Sequence, residues 1–463
     1  MTEVCAEIRC KKVHPEIQAE LLQHIDALVQ EYESQGYSQE SAIEKAILAM
    51  GDASEIGQKL HKEHKPQLEW RILFLTAAVS IFGVLLLLIP QHPGRFGGSL
   101  EQQLLFMGMG ATVIFGMYFF DYTKLKQYPI IFYAGSILLI FLTLKFGSNV
   151  SGVRRFMSIG HLQFYVPGIA MVCFLLSFCG FLEKLRNKGW MGIWILLLLA
   201  MGSGVMMLLI PAMSEAVFLA VAYVVILLLA VRKNHFSAYG KIQFYSLLCL
   251  SLVVSVSVFL ILIVSFPYRL ERLFAFVDKG ASDPMNSGWI YQICHKILVS
   301  SRWIGKANPI LEGDISWVMP DNMGGFALLN LIGNYGWLVG ILAILIVCLL
   351  IFHMIRLGCR VKYTFGKHLC YGCSILLSLQ FICGILMNLV CFPLVNVSLP
   401  FISFGGSMYL INSCMIGLIL SVWRQNKLLW PEPNKNPVCE TVRKRITYKD
   451  HKLIIDFGFD ETK

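Results

Sequence analysis

The sequence predicts an all-α polytopic membrane protein, with about ten transmembrane helices following a small three-helix cytoplasmic domain. Three observations carry this. Of 463 residues, 56% are hydrophobic and only 15% charged, with a mean hydropathy of +0.64, which excludes an ordinary soluble globule. The apolar runs approach the ~20 residues needed to cross a hydrocarbon core of about 30 Å. Residues 1–65 are charged throughout and contain no such run.

The prefix, residues 1–65, reads as three short helices. Pro15 suits a first helical turn, and Ile17, Leu21, Ile25, Leu28 and Tyr32 recur at helical spacing up to a stop at Gly36. Ser38 is placed to cap a second helix with Ile43, Ala46, Ile47 and Met50 on one face, ending at Gly51. Asp52-Ala-Ser-Glu55 has the form of a capping box for a third helix carrying Ile56 and Leu60, closed by Pro66. The segment has no cleavage signal and is not read as a signal peptide. Trp70 then stands at the interface of the first span.

The expected spans are Ile72–Pro90, Leu104–Phe120, Ile130–Lys145, Tyr165–Leu182, Trp190–Ile210, Ala216–Val231, Tyr245–Phe266, Phe326–Ile355, Cys370–Phe392 and Met408–Trp423. Alternate connections hold Lys124 and Lys126; Lys184, Arg186 and Lys188; Arg232, Lys233 and Lys241; and Arg356, Arg360, Lys362 and Lys367. This bias places both termini in the cytoplasm, with a basic tail over residues 426–463 and a large outer loop over 267–323. The net charge of +10 is mostly this bias, plus attraction to anionic membrane lipid. No basic patch alternates with exposed aromatics on a soluble domain, which argues against a nucleic-acid partner. Most of the 14 cysteines fall in apolar spans and imply no disulfide framework. His368, Cys370 and Cys373 resemble half a zinc site, but no second pair has the spacing to complete it, so no metal is assigned.

Two stretches do not suit lipid. Residues 398–407, SLPFISFGGS, hold a proline, two glycines and three serines between apolar runs, poor material for a helix interior. Irregular backbone at membrane depth survives only when buried in protein or lining a wet cavity. Pro400 breaks the helix, Gly405 and Gly406 permit close backbone approach, and Ser403 and Ser407 offer hydroxyls. The segment is read either as the wall of a cavity for phosphate or sugar, or as a packed re-entrant turn. Arg154 and Arg155, on an outer connection, run against the charge bias. They are placed to hold a diphosphate through permanently charged bidentate donors, or to meet lipid headgroups.

These segments, in order, resemble the SEDS family (shape, elongation, division and sporulation; RodA, FtsW and SpoVE types). Leu399–Ser407, with Pro393 before it, resembles its most specific signature. Gly152-Val-Arg154-Arg155-Phe156, with Ile159, Gly160 and Pro167, resembles its arginine-bearing outer loop. Tyr268–Phe276 with Asp283, Pro284, Tyr291 and Gln292 resembles the start of the large outer loop, and Pro320–Gly340 its end. The similarity covers roughly residues 70–425. It implies a ten-span bacterial cytoplasmic membrane protein of peptidoglycan synthesis in division, shape or sporulation. The implied ligand is a lipid-linked disaccharide-peptide precursor, and the implied partner a class B penicillin-binding protein. The prefix resembles the short helical domain that precedes permease-like proteins in many Gram-positive bacteria, through His14–Ile17, Ala42–Ala46, Met50–Asp52 and Glu55–Gly57. It reads either as a docking or regulatory module or as a solubilising cap.

The chemistry departs from the family. Its transfer step is attributed to an Asp in an outer-loop His-Thr-Asp-Phe motif, where a carboxylate takes a proton or holds a divalent cation. Here the four positions read Met323-Gly324-Gly325-Phe326, so Gly325 stands at the acid. The family's acid and lysine at the fourth span are absent, the positions reading Pro167-Gly168-Ile169 and, three further on, Val172, and the turn at Pro211-Ala212-Met213-Ser214 also lacks its acid. The catalytic group is therefore unassigned. Asp321 is a possible substitute, since four loop residues span up to about 13 Å, or else a solvated loop acid, as are Asp314 and Glu312. Glu215 either partly replaces the acid near Pro211 or is hydrated. Three readings stay open: a glycosyltransferase with a displaced acid and a divalent cation, a non-catalytic scaffold or regulator, and a transporter of the lipid-linked precursor.

Overall fold

The computed structural model describes residues 4, 14–63, 68–89, 100–150, 153–160, 162–186, 188–232, 276, 288–308, 324–393, 395, 397–426, 446–449 and 452–455. The chain divides into two compact units, Met1–Lys12 with Gly51–Leu428, and Val13–Met50 with Leu429–Lys463. In the smaller unit, α1 (His14–Ser34) packs on α2 (Gln39–Met50). Gly36 and Gly51 end these helices at φ of 94° and 88°, in the left-handed region that glycine enters without a Cβ penalty. Ala42 and Ala46 supply the buried face of α2.

The larger unit opens with α3 (Ala53–Glu63), where Ser54 donates to both carboxylate oxygens of Asp52. Nine of the described helices are long and apolar enough to cross a membrane. They are α4 (Trp70–Leu87), α5 (Leu100–Phe119), α6 (Pro129–Phe146), α7 (Val166–Lys184), α8 (Gly189–Leu209), α9 (Met213–Arg232), α12 (Trp337–Arg360), α13 (Thr364–Asn388) and α14 (Gly406–Gln425). Two shorter helices, α10 (Gly288–Ser300) and α11 (Ala327–Tyr335), precede α12. The expected span Tyr245–Phe266 lies outside the described residues, as do Asp321, Asp314, Glu312 and most of the large outer loop.

Pro129 and Pro167 occupy the first turns of α6 and α7, where the missing N–H costs nothing and φ is preset. Burial separates interior from lipid-facing helices. In α7, 83% of the span is buried, against 11% in α5 and 22% in α6, so α7 forms the centre of the bundle. Although mostly lipid-facing, α5 packs closely on α14 through glycine. A Cβ at Gly110 would lie 2.7 Å from Ser413 Oγ, and one at Gly417 would lie 2.6 Å from the Met117 side chain. Small residues let backbones approach where lipid offers no hydrophobic drive between helices.

One expectation is corrected. Phe326–Ile355 is not one span: Gly336, at φ 98°, separates α11 from α12. The segment after α10 enters this break, and Trp337 and Leu338 donate their N–H groups to the carbonyls of Arg302 and Trp303. A Cβ at Gly336 would lie 2.6 Å from the Trp303 carbonyl oxygen, and α11, about 13 Å long, is too short to cross. Three short strands accompany this all-α fold: β1 (Ser148–Val150), β2 (Val153–Ile159) and β3 (Leu162–Tyr165) pair antiparallel, with Phe156 opposite Tyr165. A hairpin, β4 (Ile446–Lys449) and β5 (Lys452–Ile455), belongs to the smaller unit.

Among the described residues, the basic connections gather at one end of the bundle. Lys126 lies 3.7 Å from Glu183 and donates to Tyr363, Lys184 donates to the Gln127 carbonyl, and the N–H of Lys362 donates to Asn426. The sheet, the start of α9 and the turn before α11 lie at the other end.

Candidate functional site

The residues of the signature segment bond to one another before they bond to anything else. The Ser403 N–H donates to the Leu399 carbonyl, and Ser403 Oγ accepts from the Leu399 N–H at 2.9 Å. That hydroxyl donates to the Gly324 carbonyl at 2.7 Å, tying the segment to the turn that holds Gly325. Phe401 takes φ 64°, a conformation that a non-glycine residue adopts only under strong local constraint. The constraint comes from α4. Gly83 lies under the segment, with its would-be Cβ 2.8 Å and 2.9 Å from the carbonyl oxygens of Phe401 and Ile402.

On α13, the buried Asn388 organises the turn before α11. Its Nδ2 donates to the carbonyls of Gly325 and Gly384 at 2.9 Å and 2.7 Å, while Oδ1 accepts from the Leu329 N–H at 2.9 Å. The last of these satisfies one of the N–H groups that a helix start leaves without an intrahelical acceptor. Gly325 itself is not crowded: among the described residues, a Cβ there would find only Met387 Cε, at 3.4 Å. Its φ is not positive, so among the described residues a Cβ meets neither a steric nor a conformational bar.

These elements enclose a cavity of about 840 Å³. Gly325, Gly405, Gly406 and Ser407 line it, together with Phe156 and Tyr165 from the sheet, Glu215 from α9, Glu101 from α5 and Gln380 from α13. Ser407 Oγ donates to the Gln163 carbonyl, joining α14 to β3. Phe156 and Tyr165 pack with ring centroids 5.3 Å apart.

Glu215 is buried, at 5% exposed, although it lines the cavity. One carboxylate oxygen accepts from Tyr165 Oη at 2.6 Å and the other from Ser214 Oγ at 2.9 Å. Such an arrangement can hold a carboxylate in a chosen rotamer while leaving acceptor capacity toward the cavity.

The other sequence-selected residues sit differently. Pro400 and Ser403 are buried in the segment's own turn and do not line the cavity. Arg154 is exposed and donates from Nη1 to the carbonyls of Leu144 and Lys145 at 3.0 Å and 3.4 Å. It caps the C-terminus of α6, where orphan carbonyls and the helix dipole favour a cation. Arg155 lies beside the cavity wall, close enough for its charge to act on Tyr165. Its Nε is buried without a hydrogen-bond partner among the described residues. The sequence reading did not select Gln380, Asn388, Glu101 or Tyr165. The first two are polar residues inside an apolar run, a signal of function or of interhelical bonding.

The comparisons with known proteins agree with this architecture. Residues 66–428 match the model of the FtsW/RodA/SpoVE family, described as cell cycle proteins. Relatives include the probable peptidoglycan glycosyltransferase FtsW of Coxiella burnetii, 27% identical over 69% of this chain and 85% of that protein. That of Nitrosococcus halophilus is 26% identical over 76% of this chain and 91% of that protein. Among solved structures, a peptidoglycan synthase complex, described for its structural coordination of polymerization and crosslinking, matches at TM-score 0.62 and 23% identity. That match covers 78% of this chain and 98% of that one. The rod shape determining protein RodA of Thermus thermophilus matches at TM-score 0.53 and 18% identity, covering 78% and 97%. With a family model matched over most of its length, a multi-span helical fold and the signature segment walling a cavity, this chain belongs to the FtsW/RodA/SpoVE family of cell cycle proteins.

Proposed function

We propose that the protein acts in bacterial peptidoglycan synthesis, taking the lipid-linked disaccharide-peptide precursor into the cavity between α13, α14 and the β1–β3 sheet. The observation that carries this is the convergence on one cavity of Gly325, at the position of the family acid, with Gly405, Gly406 and Ser407 of the signature segment. The FtsW relatives are described as probable peptidoglycan glycosyltransferases, which supports the same substrate class. Both termini lie in the cytoplasm on this reading, because the basic connections share the end of the bundle away from the cavity. A class B penicillin-binding protein is the partner, since polymer made outside the membrane requires crosslinking. Arg155, beside the cavity wall, is the cation placed to meet the diphosphate. Arg154, committed to the end of α6, supports the sheet that carries it.

A second reading is favoured by Gly325: the protein holds the precursor without transferring it. Glycine can neither accept a proton nor bind a cation, and the carboxylates lining the cavity, Glu101 and Glu215, are elsewhere. Polymerisation of labelled precursor by the purified protein with its partner and a divalent cation separates the two, with Asp321→Ala, Glu215→Gln and Gly325→Asp alongside. Polymer from the wild type, lost in Asp321→Ala or Glu215→Gln, identifies a transferase with a displaced acid. Precursor binding without polymer, with polymer appearing in Gly325→Asp, identifies a holding protein that lacks only the acid. A wild type that neither binds nor polymerises the precursor refutes both readings.

A further inference from the structure

Gln380 lies roughly 12 Å along α13 from Asn388, toward the basic end, so the cavity it lines reaches well into the bundle. It is 2% exposed, and neither Oε1 nor Nε2 has a hydrogen-bond partner among the described residues. An unpaired primary amide at this depth is costly, and buried polar groups are otherwise almost always satisfied. The amide therefore calls for an occupant that both accepts and donates, as a secondary amide or a hydroxyl does.

The rest of the lining narrows the choice. Glu215, itself 5% exposed, offers spare acceptor capacity. Glu101, Gln163 and Ser407 add further polar groups, while no Lys, Arg or His is present among the described lining residues. Past the wall flanked by Arg155, a diphosphate would meet carboxylates with no cation among the lining residues, in surroundings where like charges repel strongly. A neutral group rich in N–H and O–H suits the same lining.

We propose that Gln380 and Glu215 form a subsite for the uncharged, N-acylated saccharide part of the ligand, with the diphosphate kept outside this cavity. The subsite rests on the reading that the protein binds a lipid-linked saccharide. Gln380 pairs with an amide or hydroxyl, and Glu215, braced by Tyr165 and Ser214, accepts from a second hydroxyl or N–H. The acid- and amide-bearing lining of the cavity thereby selects against the charged part of the same molecule.

The test uses full-length protein in nanodiscs and two probes, the intact lipid-linked disaccharide-peptide and a prenyl diphosphate without sugar. In Gln380→Leu, affinity for the intact precursor falls about tenfold, as expected for loss of one to two neutral hydrogen bonds. Affinity for the prenyl diphosphate stays within about twofold. The ligand-free variant also melts higher than wild type, because an unpaired amide has been replaced by an apolar group, whereas a merely structural amide would lower the midpoint. If Gln380→Leu does not accumulate, Gln380→Asn, which withdraws the amide by one methylene, carries the same binding expectation. Equal precursor affinity in variant and wild type overturns the subsite alone, as does a parallel loss for both probes. A wild type that binds neither probe overturns the functional reading and the subsite with it.

Discussion

Replacing Asn388 by leucine removes three hydrogen bonds at one fully buried position, those to the Gly325 and Gly384 carbonyls and from the Leu329 N–H. Buried side-chain bonds in a membrane bundle average about 0.6 kcal/mol each, so the three bonds, one of them within α13, account for about 2 kcal/mol. The Leu329 N–H, in the first turn of α11, is left without an acceptor, and a stranded buried donor adds about 1–3 kcal/mol. We expect Asn388→Leu to lose about 3–5 kcal/mol of unfolding free energy in an equilibrium SDS titration. Hydrogen exchange should rise at Leu329, because that amide alone loses its acceptor. The Gly325 turn then moves relative to the signature segment, so precursor affinity should fall too. An unfolding free energy within about 1 kcal/mol of wild type, with unchanged exchange at Leu329, would refute the role given to Asn388.

Further expectations follow from the same geometry. Gly83→Ala places a Cβ under 3 Å from the Phe401 and Ile402 carbonyls, which are backbone atoms and cannot rotate aside. It should cost about 1–3 kcal/mol and weaken precursor binding, measured by thermal melting and a binding titration. Ser403→Ala removes the bond to Gly324 and the acceptor of the Leu399 N–H; a loss of about 1–3 kcal/mol in the same SDS titration is expected. At the prefix, hydrogen bonds from Ser54 hold the Asp52 carboxyl below its ordinary value of 3.8. A lowered folded pKa contributes stability that is complete above the unfolded value and disappears as pH falls through the folded one. Protection of the Ser54 amide should therefore persist at pH 4, fall only at lower pH, and lose this titration in Asp52→Asn.

The sequence by itself determined the features governed by local chemistry. Apolar length marked the spans, because lipid demands self-satisfied helices whatever their neighbours. Gly36 and Gly51 marked helix ends through φ, an effect that acts within a turn. The proline, glycines and serines of 398–407 signalled irregular backbone for the same reason. Tertiary structure decided which groups meet. Phe326–Ile355 carries no local sign of the loop that inserts at Gly336, since the carbonyls of Arg302 and Trp303 come from a distant segment. The paired arginines of residues 154 and 155 read alike in sequence, yet one caps α6 and the other flanks the cavity. Gln380, Asn388 and Glu215 stand alone in apolar or turn sequence. Their burial, their partners and their place on one cavity depend on packing between helices, where hydrogen bonds and desolvation are set by residues far apart in the chain.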